Sequence, residues 1–135
     1  MSGQHVCKAL AVHCIDFRIQ RFLNEYLDKK FPAAYDRVAV PGGVKYLVDG
    51  GEAGNYELEE CMVSYKLHHP EVFVLIQHED CGAYGGSKAL GDFATEKVFQ
   101  EDQLRKAEQL VQKHFPGITV KKLLVRLSGA LIPTV

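Results

Sequence analysis

The 135-residue sequence has no tryptophan, no large excess of charge of either sign and no long apolar run. Its 16 lysines and arginines nearly balance 17 aspartates and glutamates, so we expect no electrostatic capture of nucleic acid or of an anionic membrane. The longest apolar runs, Ala9 to Val12 and Val72 to Ile76, fall far short of the ~20 residues that span a bilayer. With nucleic acid and membrane set aside, the expected binding partner is a small molecule or another protein.

The first residues lack the basic segment, apolar stretch and cleavage site of a secretory leader, so we expect the protein to be cytoplasmic. In that compartment its 4 cysteines favour metal binding or catalysis for some of them over a disulfide framework. A chain of this length buries roughly two thirds of its unfolded surface on folding. We therefore expect residues 1–135 to form a single domain with a core that needs no disulfide.

Short apolar runs alternate with helical patterns along the chain. The predicted elements, in chain order, are a strand at 8–13, a helix at 19–27, a strand at 37–40, a helix through 58–65 with Asn55 as its cap, a strand at 72–76, a helix at 95–115 and a strand at 118–127. This alternation predicts an α/β fold, a three-layer sandwich whose mostly parallel central sheet carries helices on both faces. With the strand order 2-1-3-4, the carboxyl ends of strands 1 and 3 flank the point where ligands bind.

Two polar clusters follow the strands that this order makes neighbours. Cys14 comes directly after the first strand, and His78 and Cys81 follow the strand at 72–76, so the three side chains should converge on one crevice. Two thiolates and an imidazole suit zinc (Zn2+), which accepts tetrahedral geometry. Three protein ligands leave a fourth position open, which is typical of a catalytic zinc site rather than a structural one.

The motifs Cys14-x-Asp16-x-Arg18 and His78-x-x-Cys81, each at the end of a predicted strand, resemble the two signatures of the β-class carbonic anhydrases. The resemblance implies zinc ligation by the two cysteines and the histidine. It also implies that Asp16 accepts a hydrogen bond from the zinc-bound water or hydroxide while Arg18 holds Asp16 in place. The implied activity is hydration of carbon dioxide to bicarbonate by zinc-bound hydroxide, in a homodimer or higher homo-oligomer. In some members of that family the aspartate binds the metal, so both states of Asp16 stay open.

One segment departs from that family. Pro41-Gly42-Gly43 stands where the family usually carries an Arg-Asn-Ala-Gly-like loop beside the pocket. Two other functions therefore remain open: a zinc-binding domain of the same fold without hydratase activity, serving as a binding or regulatory module, and hydrolysis of carbonyl sulfide or carbon disulfide.

A rival interpretation starts from His13-Cys14, which resembles the nucleophile segment of cysteine phosphatases. Those enzymes need an arginine at the sixth position after the cysteine, and Gln20 occupies that position here. The spacing between Cys14 and the nearest arginines therefore does not match that of a cysteine phosphatase.

The remaining cysteines and histidines are assigned no catalytic role. His13 should point to the strand face opposite Cys14 with a satisfied, partly buried side chain, although it is the candidate proton shuttle nearest the site. We expect Cys7 and Cys61 to be small core residues, and the other histidines to be solvated, namely His5, His68, His69 and His114.

Overall fold

A five-stranded sheet forms the centre of the computed structural model, which describes residues 5–134. The strands are β1 (Ala9–His13), β2 (Tyr35–Ala39), β3 (Val72–His78), β4 (Thr119–Val125) and β5 (Leu131–Pro133). Their order is β2-β1-β3-β4-β5, with parallel pairing throughout except for the antiparallel β5. The predicted order 2-1-3-4 is confirmed, and a short fifth strand that the pattern does not predict extends the sheet.

Five helices connect these strands. They are α1 (Gln20–Lys30), α2 (Lys45–Asp49), α3 (Gly51–His68), α4 (Gly86–Leu90) and α5 (Phe93–His114), with a 3-10 turn at Gly82–Tyr84. The expectation that Asn55 caps α3 is wrong, because the helix begins at Gly51 and Asn55 lies inside it. The short helices α2 and α4 are not predicted either. Asp92 caps α5 by accepting a hydrogen bond from the Thr95 amide at 2.9 Å.

The helices cover both faces of the sheet, which confirms the three-layer arrangement. On one face α1 and the residue before it, Ile19, pack against the sheet. Leu23 and Leu27 of α1 and Ile19 are buried against Ala9, Ala11, Val74 and Ile76. On the other face α3 and α5 bury Cys61, Leu104, Ala107 and Val111 against Leu10, Val12, Phe73 and Leu75. Each large apolar side chain buried in this way stabilises the fold by roughly 1.5–3 kcal/mol.

The central position of β1 and β3 decides where functional groups can lie. All five residues of β1 are buried, as are the last six of β3, since both strands have a neighbour on each edge and helices on each face. Polar side chains just beyond their carboxyl ends therefore meet in a sheltered crevice at one edge of the sheet. Within the described residues, no helix is long and apolar enough to cross a membrane.

Candidate metal centre

The carboxyl ends of β1 and β3 carry the three predicted ligands. Cys14 follows the last residue of β1, His78 is the last residue of β3, and Cys81 comes three residues later. Their ligand atoms all lie within 4.8 Å of one another, and the two sulfurs are 4.0 Å apart. Two sulfurs on one tetrahedral zinc ion are about 3.7 Å apart. The three side chains thus converge closely enough to share an ion.

The imidazole of His78 fits a metal ligand in its orientation. It is 1% exposed, and its Nδ1 donates to the Glu79 carbonyl oxygen at 2.7 Å, an assignment that follows from the acceptor facing it. Its Nε2 therefore carries a lone pair, and this atom is buried without a hydrogen-bond partner among residues 5–134. Leaving a buried polar atom unpaired costs about 1–3 kcal/mol. A cation on Nε2 would offset that cost.

The two thiols influence each other strongly. A hydrogen bond from the Cys81 thiol lowers the pKa of Cys14, and His78 adds to this effect against the opposing effect of burial. The same pairing, together with burial, raises the pKa of Cys81. One thiolate therefore forms readily, whereas a second is opposed by the first. A divalent cation is the kind of partner that allows both sulfurs to ionise together.

Asp16 is held by Arg18 in a bidentate pair next to the cluster. Arg18 donates from Nε to Oδ1 at 3.0 Å and from Nη2 to Oδ2 at 2.7 Å, and these hydrogen bonds lower the pKa of Asp16 to about 2. Oδ2 of Asp16 lies 3.9 Å from Nε2 of His78. The carboxylate thus stays ionised and fixed beside the ligand atoms.

Arg18 also joins the two loops that carry the ligands. Its Nη1 donates to Oδ2 of Asp80 at 3.0 Å, and its Nη2 donates to the Asp80 carbonyl oxygen at 2.9 Å. The sequence motifs pair Arg18 with Asp16 alone and do not reveal the contact with Asp80. One guanidinium therefore fixes the loop after β1 against the loop after β3.

A buried carboxylate on α5 supports the loop after β3. Glu96 is 1% exposed and accepts hydrogen bonds from the Asp80 amide at 2.6 Å and from the Ser87 hydroxyl at 2.9 Å. Asp80 itself has a left-handed backbone, with φ of 60°, and its Oδ1 accepts from the Ser87 amide at 2.7 Å. The sequence analysis misses Glu96, although a signal exists: three polar residues share the buried face of α5, namely Glu96, Gln100 and Gln103.

The glycine turn after β2 is fixed by a glutamine of β3. Oε1 of Gln77 accepts a hydrogen bond from the Val44 amide at 3.0 Å, and its Nε2 donates to Oε1 of Gln100 at 2.9 Å. Gly43 has φ of 63°, and a Cβ at this position would collide with the Gln77 side chain. Turn geometry and close packing thus account for the glycine at position 43.

His13 is a satisfied buried residue, as expected. Its Nδ1 donates to the Cys14 carbonyl oxygen at 2.9 Å, and its Nε2 accepts from Nε of Arg37 at 2.9 Å. Burial lowers the pKa of His13. Both ring nitrogens are engaged, so this arrangement leaves His13 no free nitrogen with which to shuttle protons.

The other expectations for cysteine and histidine have mixed outcomes. Cys61 is buried in the apolar core between α3 and the sheet, as expected. Cys7 is also buried, but its sulfur lies 3.9 Å from Oδ2 of Asp36. The expectation of a solvated His68 is wrong, because its Nδ1 lies 2.6 Å from the same carboxylate oxygen.

Comparison with known proteins gives matches over nearly the whole chain. An uncharacterized protein of Rickettsia conorii is 24% identical over an alignment 142 positions long, which covers 97% of this chain and 76% of that protein. The crystal structure of β-carbonic anhydrase isoform I of Trichomonas vaginalis shares the fold with a TM-score of 0.69 at 15% identity, covering 100% of this chain and 87% of that one. The crystal structure of one of two tetrameric β-carbonic anhydrases of Sordaria macrospora has a TM-score of 0.60 at 12% identity. The match covers 97% of this chain and 81% of that one. Residues 4–132 match the model of the family described as "Putative carbonic anhydrase", and the chain belongs to that family.

Proposed function

We propose that this protein binds one Zn2+ ion through Cys14, His78 and Cys81 and hydrates carbon dioxide to bicarbonate. The observation that carries the proposal is the buried Nε2 of His78, which has no hydrogen-bond partner within the described residues and lies within 4.8 Å of two cysteine sulfurs. Family membership supports the same reaction. Zinc with three protein ligands keeps one exchangeable position and lowers the pKa of a water there to about 7, which supplies a nucleophile at neutral pH.

Asp16 would orient the attacking water without taking its proton. A carboxylate whose pKa is about 2 is a weak base at neutral pH, but its oxygens accept hydrogen bonds well. Oδ2 accepts from Nη2 of Arg18 at 2.7 Å and from Nε at 3.2 Å, and it lies 3.9 Å from Nε2 of His78. Arg18 would act as a positioning residue, since it touches both Asp16 and the loop of Asp80.

We extend the proposal to a cytoplasmic homodimer or higher homo-oligomer. All 4 cysteines are free, as the reducing cytoplasm would keep them. Ile15 and Phe17, on either side of Asp16, are 56% and 85% exposed, and neighbouring apolar side chains of this kind are typical of contact surfaces. The Sordaria macrospora neighbours are described as tetrameric. Light scattering coupled to gel filtration would test the assembly.

A second candidate is a zinc-binding module of the same fold without hydratase activity. The turn at Pro41-Gly42-Gly43, fixed by Gln77, favours it, because this turn replaces a loop that β-class enzymes use beside the pocket. Hydrolysis of carbonyl sulfide or carbon disulfide is a further alternative for the same residues. Both are linear molecules with an electrophilic central carbon, as carbon dioxide is.

Zinc analysis combined with stopped-flow hydration of carbon dioxide tests these functions. Wild type should hold about one tightly bound zinc per chain and hydrate carbon dioxide. Cys14→Ser should lose the tightly bound zinc and the activity, whereas Asp16→Asn should keep that zinc and react about 100-fold more slowly or worse, because the attacking water loses its orientation. Cys61→Ala changes a buried cysteine in the core on the other face of the sheet and should bind zinc and react as wild type does.

Two results would overturn the hydratase assignment. Zinc-loaded wild type that does not hydrate carbon dioxide would favour the binding module, or the sulfur substrates if it consumes carbonyl sulfide or carbon disulfide in the same assay. Retention of the tightly bound zinc in Cys14→Ser would contradict the proposed ligand set.

A further inference from the structure

A second group of ligand-type side chains lies at the opposite end of the sheet. Cys7 lies two residues before the start of β1, Asp36 is the second residue of β2, and His68 is the last residue of α3. The Cys7 amide donates to the His68 carbonyl oxygen at 2.9 Å, which holds the two backbones together. These three residues form the amino-end cluster. It lies at the opposite end of the strands from Cys14 and His78.

The amino-end cluster converges on one carboxylate oxygen. Oδ2 of Asp36 lies 2.6 Å from Nδ1 of His68, 2.7 Å from the Ser64 hydroxyl and 3.9 Å from the Cys7 sulfur. The three ligand atoms of Cys7, Asp36 and His68 all lie within 4.8 Å of one another. The Asp36 and His68 side chains are about one third exposed, whereas Cys7 is buried. Solvent ions can therefore reach the cluster, and its sulfur is shielded.

The alternative explanation is a hydrogen-bonded cluster that ties α3 to β2 without an ion. The contacts of Asp36 with Ser64 and His68 satisfy that explanation. It leaves the Cys7 sulfur with weak contacts only, at 3.5 Å from the Ala9 carbonyl oxygen and 3.9 Å from Oδ2 of Asp36. A Ser–His–Asp catalytic arrangement does not fit either, because serine and histidine both contact the same carboxylate oxygen and not each other.

The spacing is close to that of a tetrahedral ion site. Around zinc, nitrogen and oxygen ligands are about 3.3 Å apart, and sulfur and oxygen ligands about 3.6 Å apart. Asp36 and His68 would have to separate by less than about 1 Å, and Cys7 would approach by a few tenths of an ångström. Side-chain rotation supplies such shifts. A thiolate and a carboxylate together also neutralise a divalent cation, which limits the cost of placing it in a partly buried site.

We propose that Cys7, Asp36 and His68 form a second metal site, which binds a borderline divalent cation such as Zn2+. On binding, the Cys7 thiol releases its proton to solvent, and His68 offers Nδ1 while its remaining proton lies on Nε2. The exposed His5 ring, whose centroid is 6.0 Å from that of His68, is a candidate fourth ligand. The bound ion would join the segment before β1 to β2 and α3, and the Ser64 hydroxyl would orient the Asp36 carboxylate. This site is independent of the hydratase proposal.

Titration of metal-free protein with Co2+ tests the second site, because thiolate ligands give cobalt an intense charge-transfer absorption. Wild type should take up two equivalents, the second more weakly than the first. Cys7→Ser and His68→Gln should keep the first equivalent and bind the second at least 10-fold more weakly. His69→Asn, which changes the adjacent exposed histidine, should keep both equivalents.

The variant Cys14→Ser separates the two metal proposals. It should still bind one equivalent, and the further change Cys7→Ser should abolish that binding. Saturation of wild type at one equivalent, or an unchanged second equivalent in both Cys7→Ser and His68→Gln, would overturn the second site whatever happens to hydration. If Cys7→Ser fails to fold by circular dichroism, His68→Gln gives the same test at a partly exposed side chain.

Discussion

Two clusters of cysteine and histidine lie at opposite ends of β1, and they differ in what their ligand atoms contact. At the carboxyl end, Nε2 of His78 is buried with no hydrogen-bond partner in the described part of the chain. At the amino end, Nδ1 of His68 already contacts Asp36 at 2.6 Å. An ion at the amino end must therefore replace an existing contact, whereas an ion at the carboxyl end replaces none at the imidazole.

The pKa values of the thiols also favour metal binding at the carboxyl end. Pairing with Cys81 lowers the pKa of Cys14, while burial, followed by the charge of Asp36, raises the pKa of Cys7. A thiol that ionises readily gives up its proton to a metal at lower cost. The two clusters contain similar residue types, but their surroundings differ. We therefore expect the carboxyl-end site to bind zinc much more tightly than the amino-end cluster.

Removal of zinc should give the largest effect. A ligand at 1,000 times its Kd stabilises the folded state by about 4 kcal/mol. For a chain of this size 1 kcal/mol corresponds to roughly 3 °C in Tm. We therefore expect a strong chelator to lower the Tm of the zinc-loaded protein by about 10 °C, measured by scanning calorimetry.

Single variants assign that shift to one of the clusters. Cys81→Ser should lose most of the chelator-dependent shift, and Cys7→Ser should keep most of it. The reverse pattern would mean that the amino-end cluster is the tighter site, and the comparison above would be wrong.

Glu57 tests whether a buried polar group without a partner always marks an ion site in this protein. It is 1% exposed, and within residues 5–134 neither of its carboxylate oxygens has a hydrogen-bond partner. Burial, followed by the charge of Glu60, raises the pKa of Glu57 to about 8 from a reference value of 4.5. Between these values the folded state holds a proton that the unfolded state has lost, so stability falls as pH rises, by at most about 1.4 kcal/mol per pH unit.

Glu57→Gln should remove that contribution. Between pH 5.5 and pH 7.5 we expect wild type to lose up to about 3 kcal/mol relative to the variant, measured by urea unfolding at both pH values. Glu59→Gln, at an exposed position of the same helix, is the control. An equal pH dependence in wild type and Glu57→Gln would show that the carboxyl group is ionised and stabilised by a group that the described residues do not provide.

Compared with removal of zinc and with Glu57→Gln, Arg18→Lys should give the smallest effect. Lysine keeps the charge but cannot bind Asp16 with two parallel hydrogen bonds while also contacting Asp80. We expect zinc content to be kept and kcat for hydration to fall about 10- to 100-fold, measured by stopped flow. Arg105→Lys, in an exposed pair with Asp102, should not change kcat. Loss of zinc in Arg18→Lys would mean that the guanidinium is needed to assemble the ligands.

The parts of the fold that depend on local pattern could be predicted from the sequence. The run Val72 to Ile76 predicts a central strand, and Pro116-Gly117 predicts the end of α5. The handedness of parallel crossovers then limits the strand order, and the order brings Cys14 near His78 and Cys81. These steps need no knowledge of distant contacts.

The rest depends on tertiary contacts that have no local signature. β5 has three residues, and its pairing with β4 defines it. α3 includes Gly54, and α2 packs so close there that a Cβ would collide with the Tyr46 carbonyl oxygen, so the contact between the two helices accounts for this glycine. His68 is not solvated because the strand register places Asp36 opposite Leu10, at the end of the sheet where α3 terminates.

The separation of the ligands along the chain has a consequence for metal loading. Cys14 and Cys81 are 67 residues apart, and the Arg18 contacts with Asp80 span almost the same distance. During synthesis the complete donor set does not exist until β3 and its following loop have left the ribosome and paired with β1. Metal uptake is therefore expected to be a late event in biogenesis, and an ion bridging so long a loop would also act as a reversible cross-link that reduces the entropy of the unfolded chain.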